Sequence, residues 1–388
     1  MADSMLFNPI KIRSIQLKNR IVVAPMCQYS AVGGLVNDWH LVHLGRFALG
    51  GAGMVMVEAT AVVPEGRISH GDLGLWSDEQ IEGLARIAAF LRGQGCIPAI
   101  QLAHAGRKAS VQRPWQGHGP LTEKDIEQGD VPWPVMGPSS LPVAPGWLLP
   151  KEMDRSDMDM VRQAWRDAAV RADKAGFDVV EVHAAHGYLL HSFLSPISNQ
   201  RTDEYGGSLT GRMKFPLEVV GAVRQAWPSE KPLFVRVSSV DGVEGGLTLD
   251  DICVFAGELK KIGVDVIDCS SGGLSESPVV TSIPRGLGFQ VPYAETIRHK
   301  AEVMTMAVGM ILYPTQAEEI LRKSKADLIA IGREFMFNPN WPAHAQLELE
   351  GLESYSQWPP QAGWWLARRQ KTLSKIGAES RVPHMQQG

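Results

Sequence analysis

A short pattern that recurs four times along the chain is the strongest constraint on its fold. In each copy a turn of small residues precedes a brief apolar run that ends in polar side chains: GGAGMVMVEAT, KAGFDVVEVHAAH, KIGVDVIDCSSGG and SKADLIAIGRE. Runs this short and this rich in Val, Ile and Met are typical of parallel strands that are buried on both faces. Helix-patterned segments precede them, so the repeated unit is a strand paired with a helix.

Four further apolar runs bring the number of predicted strands to eight: RIVVAPMCQ, CIPAIQLAHAG, KPLFVRVSS and AEVMTMAVGM. Helical segments such as DMDMVRQAWRDAAVRADKAG separate them, which predicts an α/β protein with a single (β/α)8 barrel over residues 1–388. The alternative is a doubly wound open sheet, but no G-x-G-x-x-G turn follows an early strand. The barrel is therefore the favoured fold.

Two regions depart from the repeated unit. Residues 111–150 are rich in Pro and Gly and are too long for an ordinary turn after the third strand. A loop of this length usually covers an active site and packs through its own aromatic residues. Residues 355–388 contain the aromatic and basic stretch QAGWWLARRQKTLSKIG, which predicts a last helix that packs on the barrel or contributes to a subunit interface.

The overall composition restricts the class of partner. The chain has 388 residues, 44% of them hydrophobic, and a net charge of −4, so it offers no basic field for nucleic acid and no polybasic membrane patch. Its first twenty residues lack the apolar core of a signal peptide, and no later run is long enough to span a membrane. We therefore expect a cytoplasmic protein that acts on small molecules.

The four cysteines are far apart. Cys27, Cys96, Cys253 and Cys269 form no C-x-x-C pair, which argues against a zinc ribbon, an iron–sulfur cluster or a disulfide framework. Any cysteine with a function must act alone.

Polar residues follow the predicted strands, where barrels of this class place their functional groups. Glu58 and Thr60 follow the second strand, His104 the third, and Ser270 and Ser271 the sixth; Gly309, Gly332 and Arg333 follow the last two. Barrels commonly bind phosphate after strands seven and eight, because glycines there let backbone N–H groups approach the anion. We therefore predict a phosphate site at that place, although tight turns alone also require glycine.

The stretch EVHAAHGYLLHSFLSP follows the fourth run and leaves three interpretations of its histidines open. His183 and His186 as metal ligands need a third ligand, for which Glu181 is the nearby carboxylate. As structural residues they need only hydrogen-bond partners within the core. Beside the phenol of Tyr188, two imidazoles also form a donor pair and an acid that suit a reaction in which a substrate oxygen becomes negative.

Several long motifs extend over nearly the full chain, among them LFNPIKIRSIQLKNRIVVAPMCQYSA, IQLAHAGRKAS, EVHAAHGYLLHSFLSPISNQRTDEYGGSLTGRMKF and IAIGREFMFNP. They resemble the old yellow enzyme family, in the branch of thermophilic-like ene-reductases and xenobiotic reductases. The resemblance implies a barrel that holds non-covalent FMN, accepts electrons from NADH or NADPH, and reduces small-molecule activated alkenes.

The same resemblance implies roles for individual residues near the flavin. The residues that match flavin contacts are Ala24, Pro25, Met26, Cys27, Ala59, Gln101, Arg236, Gly309, Gly332 and Arg333. Arg236 matches a cation that would stabilise the anionic reduced flavin. Cys27 is characteristic of the branch, either as a thiol that tunes the flavin potential or as a small buried filler. The seventh-strand loop departs from the family at Tyr313 and Pro314, so only Gly309 is matched there.

On the substrate side, the resemblance implies that His183 and His186 hold a carbonyl or nitro oxygen while hydride moves from flavin N5 to the β-carbon. Tyr188 matches the donor of the α-proton, and Tyr29 and Trp365 match residues that face the substrate. Since both half-reactions would share one site, ping-pong kinetics are expected. The basic C-terminus predicts a homodimer or homotetramer in which Arg368 or Arg369 reaches a neighbouring site.

Two alternatives from other classes stay open at this point. A metal-dependent barrel hydrolase could use the same histidines, and a flavin-binding protein without turnover could use the same barrel.

Overall fold

Eight parallel strands form a closed barrel in the computed structural model, which describes residues 4–274, 283–350 and 355–377. The strands are β1 Ile21–Val23, β2 Met54–Ala61, β3 Ile97–Ala103, β4 Val179–Ala184, β5 Leu233–Ser238, β6 Val266–Ser270, β7 Met304–Ala307 and β8 Leu328–Ile331. Strand β1 closes the barrel because it pairs with β8 on one side and β2 on the other. All eight predicted strands are present, and the predicted (β/α)8 barrel is confirmed.

Helices cover the outside of the barrel. They include α1 Asp38–Leu49, α2 Ile81–Gly93, α3 Arg155–Lys174, α4 Leu209–Ala226, α5 Leu249–Ile262, α6 Val291–Ala301, α7 Pro314–Arg322, α8 Arg333–Phe337, α9 Trp341–Glu350 and α10 Pro360–Lys375, and a short helix, Leu189–Leu194, follows β4. Local chemistry sets several of their ends. Thr248 caps α5 by accepting a hydrogen bond from the N–H of Asp251, and Gly263 ends the same helix in the left-handed conformation.

The amino end of the barrel is closed by apolar packing. A hairpin of strands Ile10–Ile12 and Ile15–Leu17 lies across this end. Its side chains form one buried cluster with Met54, Phe234 and Met306 from inside the barrel. This closure leaves the carboxyl ends of the strands as the place where polar groups collect.

The predicted excursion lies between β3 and α3 and folds back onto the carboxyl end of the barrel. It contains a short helix, Glu123–Glu127, and a two-residue strand pair, Met136–Gly137 with Lys151–Glu152. Val111 and Val135 from this segment are buried against Ile68. The excursion therefore forms part of the wall around the strand ends.

The predicted C-terminal helix corresponds to α10, whereas residues 378–388 of the predicted tail lie outside the described residues. Within the described ranges no helix combines the length and the apolar character that crossing a bilayer requires.

Candidate active site

His183, His186 and Tyr188 come together at the carboxyl end of β4. The ring of His183 lies 5.2 Å from that of His186 and 5.1 Å from that of Tyr188, and both pairs meet edge to face. His183 belongs to β4, whereas the other two lie in the turn that follows it. The structure therefore unites the three residues that the sequence singled out.

One hydrogen bond determines which nitrogen of His183 carries the proton. The backbone N–H of Ala185 donates to Nδ1 of His183 at 3.2 Å, so Nδ1 must be unprotonated. A neutral ring then carries its proton on Nε2. Burial lowers the pKa of His183 well below its usual value, and the charge of Arg236 lowers it further. His183 is therefore a neutral imidazole with an Nε2–H donor.

The backbone of His186 is held from three sides. Its φ is +60°, a left-handed conformation that costs energy in most side-chain-bearing residues. Its N–H donates to Oγ of Ser238 at 2.9 Å, and its carbonyl accepts from Nζ of Lys108 at 3.1 Å. Gly273 packs so close that a Cβ there would lie 2.5 Å from Cα of His186. These contacts fix the position from which the ring projects.

A half-buried wall of aromatic residues and one thiol lies beside the histidines. Tyr29, Tyr188 and Cys27 pack on the small cluster that includes Ile68 and the excursion. Desolvation raises the pKa of the Cys27 thiol well above its usual value, and nearby Asp72 and Glu58 raise it further. Burial, followed by repulsion from Cys27 and Tyr188, likewise raises the pKa of the Tyr29 phenol. Both groups therefore stay protonated at neutral pH.

Charged and polar side chains form a buried group inside the barrel, next to His183. The side-chain amide of Gln101 donates to Oε1 of Glu181 at 2.7 Å, and Nε of Arg236 lies 3.1 Å from Oδ2 of Asp268. Burial, followed by repulsion from Asp268, raises the pKa of Glu181 well above its usual value. Burial also raises the pKa of Asp268, against the opposing effect of Arg236. Arg236 thus places a positive charge within the barrel, paired with one carboxylate.

A cavity of about 430 Å³ opens beside the ends of β7 and β8, lined by residues that include Gly309, Gly332 and Arg333. Gly309 has a φ of +115°, and a Cβ there would lie 2.8 Å from Nε2 of Gln290. Gly332 lies against Ala24 and Met26, which follow β1. The two glycines keep backbone atoms accessible from the cavity, and the exposed Arg333 brings a cation to its wall.

Most of the predicted site residues lie at this end of the barrel, but Trp365 does not. It lies on α10 and lines a separate cavity of about 960 Å³ with Leu49 and Gln94. Leu49 is the last residue of α1, and Gln94 directly follows α2. Both helices end on the side of the barrel where the strands begin, so this cavity lies on that side. The structure therefore does not bring Trp365 to the substrate side of its own chain. Arg368 lies on the same helix, where its guanidinium carbon is 3.1 Å from the centre of the Trp364 ring.

Lys108 and Trp115 were not predicted as site residues, and Ser270 was predicted only as a polar residue that follows the sixth strand. Lys108 bridges the loops after β4 and β6, because Nζ donates to the carbonyls of both His186 and Gly273. Ser270 lies 2.7 Å from Nε2 of His186. Trp115 meets Tyr29 edge to face with 5.7 Å between the ring centroids. Lys108 lies within the IQLAHAGRKAS motif, which was the available signal for it, and Trp115 lies at the start of the excursion.

Within the described ranges no group of three or more His, Cys, Asp or Glu side chains forms a metal-binding arrangement.

Comparisons with known proteins agree on one family. The family model described as NADH:flavin oxidoreductase / NADH oxidase matches residues 5–351. An NADPH dehydrogenase of Geobacillus sp. (strain WCH70) is 45% identical over 349 residues, which cover 89% of this chain and 95% of that protein. Among solved structures, morphinone reductase is 26% identical with a TM-score of 0.73, over 89% of this chain and 90% of the other.

A second similar structure is a 2-naphthoyl-CoA reductase in complex with 2-naphthoyl-CoA. It is 25% identical with a TM-score of 0.78, and the match covers 90% of this chain but 53% of the other. The present chain therefore spans about half the length of that reductase.

Proposed function

Because the chain belongs to the NADH:flavin oxidoreductase / NADH oxidase family, the old yellow enzymes, we propose that it reduces activated carbon–carbon double bonds. The family membership makes the protein an FMN-dependent oxidoreductase with NAD(P)H as the reductant. It also sets aside the hydrolase and the flavin-binding protein without turnover. The substrates that we propose are α,β-unsaturated carbonyl and nitro compounds.

The residues present fit FMN. The cavity beside Gly309 and Gly332 has the small residues and the cation that a phosphate group requires. Arg236 would lie near the N1–C2 edge of the ring system, where its charge favours the reduced anion. We assign the remaining flavin contacts to Ala24, Pro25, Met26, Cys27, Ala59 and Gln101. When bound, FMN supplies two-electron redox chemistry between NAD(P)H and the second substrate.

The pair of neutral imidazoles is the observation that carries the proposal. His183 presents an Nε2–H, and we propose that His186 presents a second N–H to the same carbonyl or nitro oxygen. As the double bond is reduced, negative charge accumulates on that oxygen, and donors already held in place stabilise it. The hydrogen bond from Ala185 and the buried position of His183 keep this donor oriented before the substrate arrives.

Tyr188 is the proposed donor of the proton to the α-carbon. Its ring lies beside His183, and Nζ of Lys108 lies 5.4 Å from the centre of the same ring. A general acid must lie within reach of the atom that it protonates, and Tyr188 lies in the turn after β4, two residues beyond His186. Tyr29, supported by Trp115, forms the facing wall against which we propose that the substrate packs.

Replacement of His183 by alanine tests the oxygen-binding role. Loss of one preorganised donor slows the reduction of cyclohexenone by about 10²–10³-fold, because transition-state charge loses a hydrogen bond. FMN content, measured by absorbance after gel filtration, is expected to stay at the wild-type level. Turnover of His183→Ala like that of the wild-type enzyme would rule out the assignment.

A further inference from the structure

We propose that Ser270, Ser271 and Gln290 set the tautomer of His186, so that its proton lies on Nδ1 and faces the substrate oxygen. This inference rests on the proposed function, because it takes His186 as the second residue that meets that oxygen. The three residues act by positioning a proton and need not touch the substrate themselves.

The network begins at Gln290, whose side-chain orientation is fixed. Its Nε2 donates to the carbonyl of Val308 at 3.1 Å, which leaves Oε1 on the opposite side of the amide. The hydroxyl of Ser271 donates to this oxygen at 2.6 Å. The reverse orientation would place two oxygen acceptors, Oε1 and the carbonyl of Val308, against each other. Oε1 of Gln290 is therefore already engaged by a short hydrogen bond.

Ser270 has one proton and two acceptors within reach. Its Oγ lies 2.7 Å from Nε2 of His186 but 3.4 Å from Oε1 of Gln290. Hydroxyl hydrogen bonds are favourable at about 2.5–3.0 Å, so the longer of these contacts is weak. Oε1 of Gln290 has a second lone pair and can still accept, but the 3.4 Å contact is much weaker than the 2.7 Å contact, so we place the proton of Ser270 toward Nε2 of His186. That nitrogen then accepts a hydrogen bond and carries no proton.

The ring of His186 is neutral, so one nitrogen must be protonated. Burial lowers the pKa of His186 well below its usual value, and Arg236, His183 and Lys108 lower it further. With Nε2 occupied as an acceptor, the proton lies on Nδ1. Among the described residues none forms a hydrogen bond with Nδ1. This N–H is therefore available to a ligand.

The opposite tautomer would have a different specificity. An unprotonated Nδ1 presents a lone pair, which repels a carbonyl oxygen and attracts a hydroxyl donor. The serine and glutamine network thus selects ligands that accept a hydrogen bond at this position. Control of the tautomer through a residue behind the histidine is a common device in proteins.

Nitrogen-15 NMR of histidine-labelled, FMN-loaded protein tests the inference, because it separates protonated from unprotonated ring nitrogens. The signals of His186 are identified by their loss in His186→Gln. We expect a protonated Nδ1 in the wild-type protein, a mixture of tautomers in Ser270→Ala, and a protonated Nε2 in Gln290→Glu, whose carboxylate attracts the proton of Ser270. Ser198→Ala removes another buried hydroxyl, which donates to the carbonyl of Ser192, and should leave the spectrum of His186 unchanged.

The affinity for cyclohexanone, a carbonyl ligand without an activated double bond, gives a second readout. It should fall by about 10- to 100-fold in Gln290→Glu, since a donor at the ligand oxygen becomes an acceptor. A protonated Nε2 in the wild-type protein, or a protonated Nδ1 that persists in both variants, would overturn the inference. Either result leaves the His183→Ala test of the proposed function intact. A tautomer that reverses without a change in cyclohexanone affinity would instead contradict the oxygen-binding role of His186.

Discussion

At the scale of single residues, the site depends on imidazoles that are kept neutral by burial. His183 and His186 both have a pKa well below the usual value, so each retains one N–H and one acceptor nitrogen over a wide pH range. His104, one residue beyond the end of β3, is also buried, and burial lowers its pKa to about 4. Neutral donors hold an oxygen that becomes negative without the cost of burying a full charge.

Tyr188→Phe tests the proton donor. A positioned general acid contributes about 10²–10⁴-fold, so reduction of cyclohexenone is expected to slow within that range while substrate affinity stays similar. Anaerobic bleaching of the flavin by NADPH needs no such proton and serves as the internal control. If the rate of alkene reduction falls by less than about threefold, which is far below the range for a positioned acid, solvent provides the proton and Tyr188 has no catalytic role.

The buried His104 predicts a pH dependence of stability. Below pH 6.5 the unfolded chain binds a proton at this residue and the folded protein does not, so folding stability falls as the pH is lowered toward 4. His104→Asn, whose amide oxygen can still accept the N–H of Gly106, should reduce the loss of unfolding free energy between pH 6.5 and pH 5 by about 1.5 kcal/mol. Urea titrations at the two pH values measure it. Equal losses in both proteins would contradict the lowered pKa.

The individual roles were only partly predictable from the sequence. The local motif supplied His183, His186 and Tyr188 because they lie within six residues of each other. Ser270 is 84 positions away from His186, and only the barrel, which places the ends of β4 and β6 near one another, brings them into contact. Apolar periodicity carries no information on such pairings.

At the scale of elements, the proposed site residues lie at the carboxyl ends of the strands and in the loops that follow them. The strand patterns predicted all eight strands because runs buried on both faces are almost entirely apolar. Their ends were less well predicted. The first run extends to Cys27 in sequence, whereas β1 ends at Val23, since the ladder with β8 stops and Pro25 cannot donate a backbone hydrogen bond.

Gly309→Ala tests the loop after β7. The added Cβ would lie 2.8 Å from Gln290 in a backbone conformation that L-residues rarely adopt, which costs about 1–3 kcal/mol. We expect FMN affinity to fall by about 10-fold or more, measured as flavin retained per chain after gel filtration. Gly257→Ala is the matched control, because this helical glycine has no atom within 4 Å of the added Cβ among the described residues. Equal flavin retention in the two variants would remove Gly309 from the proposed phosphate site.

At the scale of the whole molecule, the two ends of the barrel differ, because apolar packing closes the amino end and the proposed site lies at the carboxyl end. The hairpin seals the amino end, and the excursion with its aromatic residues forms a wall at the carboxyl end. The sequence indicated the length and the aromatic content of the excursion but not its path, because a segment rich in Pro and Gly has no periodicity to follow. Trp365 was matched to the substrate side through the resemblance alone. The place where α10 packs against the barrel depends on tertiary contacts that the sequence does not reveal.

The exposed aromatic surface of α10 predicts self-association. Trp364 and Trp365 are 51% and 65% exposed, which is unusual for residues of this size and typical of interfaces. We expect the wild-type protein to exceed the mass of one chain in light scattering after gel filtration, and the double variant Trp364→Ser, Trp365→Ser to dissociate. Trp115→Ser, which removes an exposed tryptophan of the excursion, is the control and should leave the mass unchanged. A monomeric wild-type protein would contradict this prediction.

We propose that this barrel passes electrons from NAD(P)H to an activated alkene through FMN. The most direct test is the absorbance of the purified holoenzyme under anaerobic conditions. We expect NADPH or NADH to bleach the flavin bands and cyclohexenone then to restore them with formation of cyclohexanone. A flavin that is bleached by the nucleotide but stays bleached when cyclohexenone and a nitroalkene are added would contradict this proposal.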